Sequence, residues 1–157
     1  MYKTLNFVFI ITVIFIVQSC SSSMQREKIG FTVLASGGNS GYEEKERLKI
    51  TNKADFQKMW DRVYVNFSEK PPLPDVNFNN QMVIGVFYGQ YPNGGSSISV
   101  KSVEMYETMI MVKIDEVTPG HNCVTTDVLT QPFQIIRIPK VMVPINYATE
   151  QVIRKCD

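Results

Sequence analysis

The sequence predicts an α+β domain: a mainly antiparallel β core, sandwich- or barrel-like, with one amphipathic helix packed on it. Three observations carry this expectation. Residues 52–64 hold one stripe of apolar side chains at helical spacing. The runs 82–88, 97–105, 109–117 and 132–139 are either continuously apolar or alternate with a period of two. Clusters of Gly, Pro and Asn punctuate the chain between several of these runs.

In chain order, residues 1–19 read as a lipoprotein signal peptide. Lys3 supplies a positive start, and 7–17 is apolar throughout except Thr12. A bilayer-spanning helix needs about 20 apolar residues, so this stretch is the length of an export signal rather than an anchor. Val17-Gln18-Ser19-Cys20 resembles a bacterial lipobox, with Gln18 bulkier than usual. Cys20 is therefore the expected lipidation site, acylated by chains such as palmitate. The expected location is the bacterial cell envelope, at the outer membrane, with the lipid bilayer as one partner. Residues 20–28 are small and polar, as a tether requires, and 29–157 is expected to form a single globular domain.

Ile29, Phe31, Val33 and Ala35 alternate and predict a first strand over 29–35. The cluster 36–41, Ser-Gly-Gly-Asn-Ser-Gly, reads as a hairpin connection to a second strand over 47–51. Phe56, Met59, Trp60, Val63 and Tyr64 form the helical stripe, with Asn52 placed to cap the first turn and Asp55 at the positive end of the dipole. Trp60 lies mid-stripe and reads as a core anchor. Pro71, Pro72 and Pro74 end that unit.

Residues 82–88 are apolar apart from Gly85, as a central strand buried on both faces should be. Tyr91-Pro92-Asn93-Gly94-Gly95 is a turn. Over 97–105, Ile98 and Val100 share one phase and Val103 and Met105 the other, which predicts a β-bulge. Glu107 and Thr108 form the next turn before the strand 109–117, and Pro119-Gly120 breaks the chain. Pro132 and Pro139 bound the strand after it, and Val141 and Val143 mark the possible start of one more before Pro144.

Composition narrows function. Lys and Arg total 16 against 15 Asp and Glu, and Lys3 is the one charge the leader removes. The mature chain is then formally neutral, without the basic footprint that nucleic acid requires. With Cys20 lipidated, Cys123 and Cys156 remain as an even pair in an oxidising compartment, where a disulfide is expected. His121 is the single histidine, and with Cys123 it makes only an H-x-C pair, short of a zinc site. Asp115 and Glu116 are strand neighbours that point to opposite faces, a poor acid/base pair. The serines lack a nucleophile-elbow context. The expectation is no catalytic residues, no metal and no cofactor.

Residues 83–140 resemble the C-terminal domain of PrcB-like proteins, accessory subunits of a bacterial surface protease complex. The resemblance rests on an apolar strand ending in Gly89, the Pro-x-Gly-Gly turn over 92–95, a strand pair, and a Pro-initiated strand closing in Pro139-Lys140. Much of that family has Thr-Gly-Gly-Tyr at the turn. Here Asn93-Gly94-Gly95-Ser96 stands instead, so a contact through that aromatic ring is not carried over. The resemblance implies a non-catalytic binding or stabilising subunit for a secreted or membrane-associated protease. The turn, Tyr91, Pro92, Asn93, Gly94, Gly95 and Ser96, is the expected contact. There Gly95→Val or Tyr91→Ala is expected to weaken binding with little change in stability. A protease inhibitor is an alternative, and so is an envelope glycan- or peptidoglycan-binding module that uses Tyr88, Tyr91 and Trp60 as stacking platforms.

Overall fold

The computed structural model describes residues 26–156. The expected signal peptide, the expected lipidation site Cys20 and most of the expected tether lie outside the described residues. Eight strands and one helix follow in the order β1 (Glu27–Ile29), β2 (Thr32–Gly37), β3 (Glu46–Ile50), α1 (Lys53–Val63), β4 (Gln81–Phe87), β5 (Ser97–Met105), β6 (Ile110–Pro119), β7 (Phe133–Pro139) and β8 (Ile145–Arg154). They form two four-stranded sheets, β1-β5-β6-β8 and β2-β7-β4-β3. The result is a β-sandwich with α1 on the outer face of the second sheet, an α+β fold with a mainly antiparallel core.

Period-two alternation on the central strands builds two cores. Met82, Ile84 and Val86 of β4 and Ile136 and Ile138 of β7 face Ile98, Val100, Val103, Ile110, Val112 and Ile114 of the other sheet. The alternate residues Val83, Phe87, Phe133 and Ile135 face the helix stripe of Phe56, Met59, Trp60 and Val63. β4 is thus buried on both sides, as its unbroken apolar run requires. Gly85 is where the helix comes closest: a Cβ there would stand 2.8 Å from the Met59 sulfur. Asn52 caps α1, its Oδ1 accepting the Asp55 N–H at 2.9 Å, and Tyr64 is the C-cap.

The bulge falls where the phase slip of 97–105 places it. The β5–β6 register shifts between Val100 and Ser102. The Val100 N–H turns to the other sheet and donates to Gln134 Oε1 at 2.7 Å, so the interrupted ladder keeps its donor satisfied.

Three expectations are corrected. The run 29–35 is not one strand: β1 pairs with β5, whereas β2 pairs with β7 in the other sheet. The chain changes sheets at Gly30-Phe31, and a register shift between Val33 and Ala35 breaks the alternation. β1 also takes up Glu27 and Lys28 from the end of the tether, because both pair with β5. Next, the segment after Gly37 is not a hairpin connection, since β2 and β3 occupy opposite edges of their sheet. The doubly buried β4 and β7 take the centre. The connection straps across their ends, with Gly38 O accepting from Gln131 N and Glu43 O from Gln90 N. Lastly, Val141 and Val143 do not open a strand. They pack on the core from a loop, and β8 begins after Pro144. β8 runs parallel to β6 because the chain reaches it from the other sheet rather than through a hairpin.

The register also gives the sandwich two poles. Glu27 pairs with Met105, so the chain enters beside the 106–109 hairpin and the 140–144 loop. Ser97, Pro119 and Arg154 lie at the other end of the same sheet. The nine residues of β5 separate the poles, eight steps or roughly 26 Å at about 3.3 Å per residue.

Candidate functional site

The turn after β4 forms the pole remote from the chain entry. Tyr91 pairs with Thr130 through both main-chain groups, at 2.8 and 2.9 Å. Its ring packs on Tyr88 with centroids 4.4 Å apart. Thr130 Oγ1 donates to Asn93 O at 2.9 Å, and Gly94 N donates to Thr126 O at 2.9 Å. Gly95 adopts φ +93°, a left-handed conformation that L side chains rarely take. Arg154 donates to Gly95 O at 3.1 Å.

The predicted site residues are therefore together but only partly free. Pro92 and Gly95 are exposed, Tyr91, Asn93 and Gly94 are half-buried, and Ser96 is buried. The expectation that Gly95→Val leaves stability intact is corrected. A side chain there is strained by the positive φ, and its Cβ would lie 2.9 Å from the Arg154 guanidinium. Tyr91→Ala would likewise strip the cover from Tyr88.

What covers the turn is the loop between β6 and β7, residues 120–132, in which sequence reasoning singled out only His121 and the disulfide at Cys123. Cys123 and Cys156 are bonded, with their Cα atoms 5.1 Å apart. Gly120 N donates to Arg154 O at 2.9 Å and Asn122 donates to Cys156 O, so the loop and the C-terminal tail are tied at several points. No signal in the sequence marks its exposed apex: Val124 points outward and its half-buried neighbours Cys123 and Thr125 inward, an alternation that only burial reveals. Replacing both cysteines by serine is expected to cost up to about 4 kcal/mol by loop entropy. Thermal or denaturant unfolding of the double variant checks this. Thiol labelling of the unfolded, unreduced wild type should find neither side chain reactive.

Behind the turn a polar cluster closes the side of the sandwich between the edge strands β3 and β8. Glu116 faces inward and is buried. Arg47 and Lys45 meet its two oxygens at 2.5 and 2.7 Å, and Gln151 donates to it as well. Arg47 also donates to Phe87 O at 2.5 Å. Burial opposes ionisation of Glu116, but Lys45, Gln151 and Arg47 together outweigh it and hold its pKa below the usual carboxylate value. Burial, then Tyr91 and Glu116, push the Tyr88 phenol well above its ordinary value. Tyr88 therefore stays a donor, toward Gln151 Oε1 at 3.4 Å. A carboxylate ionised at neutral pH with both oxygens occupied suits a structural ion pair, not proton transfer. Asp115 points to the outer face, where Lys101 lies 3.4 Å from it. The two acids are separated as strand geometry requires.

Of the three stacking platforms in the glycan reading, Trp60 and Tyr88 are lost and the half-buried Tyr91 remains. Trp60 is 2 % exposed and Tyr88 is 1 % exposed, so neither ring can meet a sugar.

Residues 82–139 match the family model described as PrcB C-terminal. The matched span runs from β4 through β7 and contains the turn and the whole covering loop. It differs by one residue at each end from the span read in the sequence. No curated protein and no solved structure matches the chain.

Proposed function

We propose, from the PrcB C-terminal domain that the chain carries over 82–139, that this protein is a lipid-anchored, non-catalytic subunit of an envelope protease complex. It binds and stabilises the protease through the pole formed by the 91–97 turn and the 120–132 loop. The family match is the observation that carries the reading. Two features support it. The chain enters the domain at the pole opposite the turn. With Cys20 acylated and only a short tether before Arg26, the turn and loop then face away from the bilayer. Each buried acyl methylene contributes about 0.8 kcal/mol, so several chains hold such a protein firmly. The polar cluster around Glu116 has the protonation of a brace, not of a reaction centre.

The test is recovery of the full-length protein from detergent-solubilised envelope. Wild type is expected in the membrane fraction and to co-elute with a peptidase, identified as a polypeptide by mass spectrometry. Cys20→Ala is expected to leave the membrane fraction or to persist as an uncleaved precursor. A wild-type eluate without any peptidase, with the protein retained instead on cell-wall polysaccharide, overturns the reading.

A further inference from the structure

We propose that segment 123–126, with Val124 at its apex, docks as an extended strand in the substrate cleft of the partner protease. The protein would then occupy the active site as a reversible, uncleaved ligand. This deepens the binding reading above and rests on it.

Four observations lead here. Val124 is fully exposed, at 102 %, while Cys123 and Thr125 on either side are half-buried. That in-out-in alternation belongs to extended backbone. Among the described residues, neither Val124 nor Thr125 makes a main-chain hydrogen bond. Their N–H and C=O groups are free to pair with the edge of a cleft, which is how an extended peptide is held by a protein that accepts one.

The flanks of the segment are fixed. Cys123 is held by the disulfide and by its N–H donating to Gly120 O at 3.0 Å. Thr126 O accepts from Gly94 N at 2.9 Å, and the Thr125 methyl lies over Gly95. A strand pre-shaped in this way loses little conformational entropy on docking. The same bracing assigns a purpose to the Gly-Gly turn. A Cβ at Gly94 would stand 2.4 Å from Thr126 Oγ1, so glycine there lets the loop lie on the turn. The turn is the support, and the loop is the ligand.

The surface continues the same way. Val128 and Leu129, 56 % and 61 % exposed, rim a cleft of about 430 Å³ with Phe67 and Tyr64. Exposed apolar side chains gathered on one loop of a soluble domain mark a partner surface. Asp127 is the only Asp, Glu, Lys or Arg over 120–131. The fitting partner has a small apolar pocket for a β-branched residue in a cleft that pairs with extended main chain. The substrate cleft of an endopeptidase has that form. Docking makes and breaks no covalent bond.

The test uses active-site probes for serine, cysteine and metal peptidases on solubilised envelope from cells lacking the protein, with purified full-length protein added back. Wild type is expected to suppress labelling of one peptidase. Val124→Arg should relieve the suppression by on the order of tenfold, equal to about 1.4 kcal/mol, with an unchanged thermal midpoint. Met142→Arg, an exposed position at the opposite pole, should suppress as wild type does. If wild type and Val124→Arg bind the peptidase equally and neither alters labelling, the loop is not in the cleft. The inference then fails while the subunit reading stands. If wild type recovers no peptidase at all, both fail.

Discussion

Trp60→Ala is expected to destabilise the protein by about 3–5 kcal/mol, the cost of removing a large aromatic side chain from a packed core. Trp60 sits mid-stripe on α1, with ring centroids 5.8 Å from Phe56 and 4.8 Å from Tyr64. Its indole N–H donates to Pro71 O at 2.9 Å. It therefore joins the helix to the proline-rich connection as well as to the sheet. Alanine leaves a cavity and an unpaired carbonyl together. Trp60→Phe separates the two, because it keeps most of the ring volume and loses the donor, and it should cost about 1–3 kcal/mol. Denaturant titration of the three proteins checks the order. A loss below about 1 kcal/mol for Trp60→Ala, the range of ordinary surface changes, would place the indole outside the core.

That helix was legible from sequence because its signals agree: the apolar stripe, the Asn52 cap and the bordering prolines all point one way. The bulge in β5 was legible for a similar reason, since a phase slip in a period-two pattern has few other causes. β8 was not. Its residues Tyr147, Gln151 and Val152 are at most half-buried at a sheet edge, so the alternation that marks a strand is weak. Its partner β6 is also reached only after the chain has crossed to the other sheet and back. The sheet change at Gly30 was hidden for the opposite reason, because apolar alternation runs straight through it while the pairing partner changes.

At the candidate site, the Gly-Gly turn announced itself by composition. What rests on it did not. Arg154 and Thr126 reach Gly95 and Gly94 from distant parts of the chain. Glu116 was set aside with Asp115 as a poor acid/base pair, which its geometry supports. Its true partners, Lys45 and Arg47, come from the edge strand β3 and the residue before it, and spacing along the chain carries no trace of them.

Glu116→Gln is expected to cost about 3 kcal/mol at neutral pH, because it leaves a buried cation without its counter-charge. Lys45 is half exposed and can turn to water, so the loss falls mainly on Arg47, whose side chain is largely enclosed. The pH dependence follows from the direction of the shift. Burial works against the charge on Glu116, but Lys45, Gln151 and Arg47 prevail and hold the folded pKa below the unfolded value, about 4.3. The folded state therefore binds the proton less readily than the unfolded chain. The stabilisation is fully present above roughly pH 5 and fades as the pH falls through the folded pKa. Glu116→Gln lacks this term at every pH. The stability gap between wild type and variant should stay level from about pH 5 to 8 and narrow below about pH 4. Adding Arg47→Leu to Glu116→Gln should recover part of the loss, since the orphaned charge goes with it. Denaturant unfolding at each pH reads all three effects. A gap that widens in acid, or a double variant weaker than the sum of its two singles, would mean that the Glu116 carboxylate does not brace this side of the sandwich.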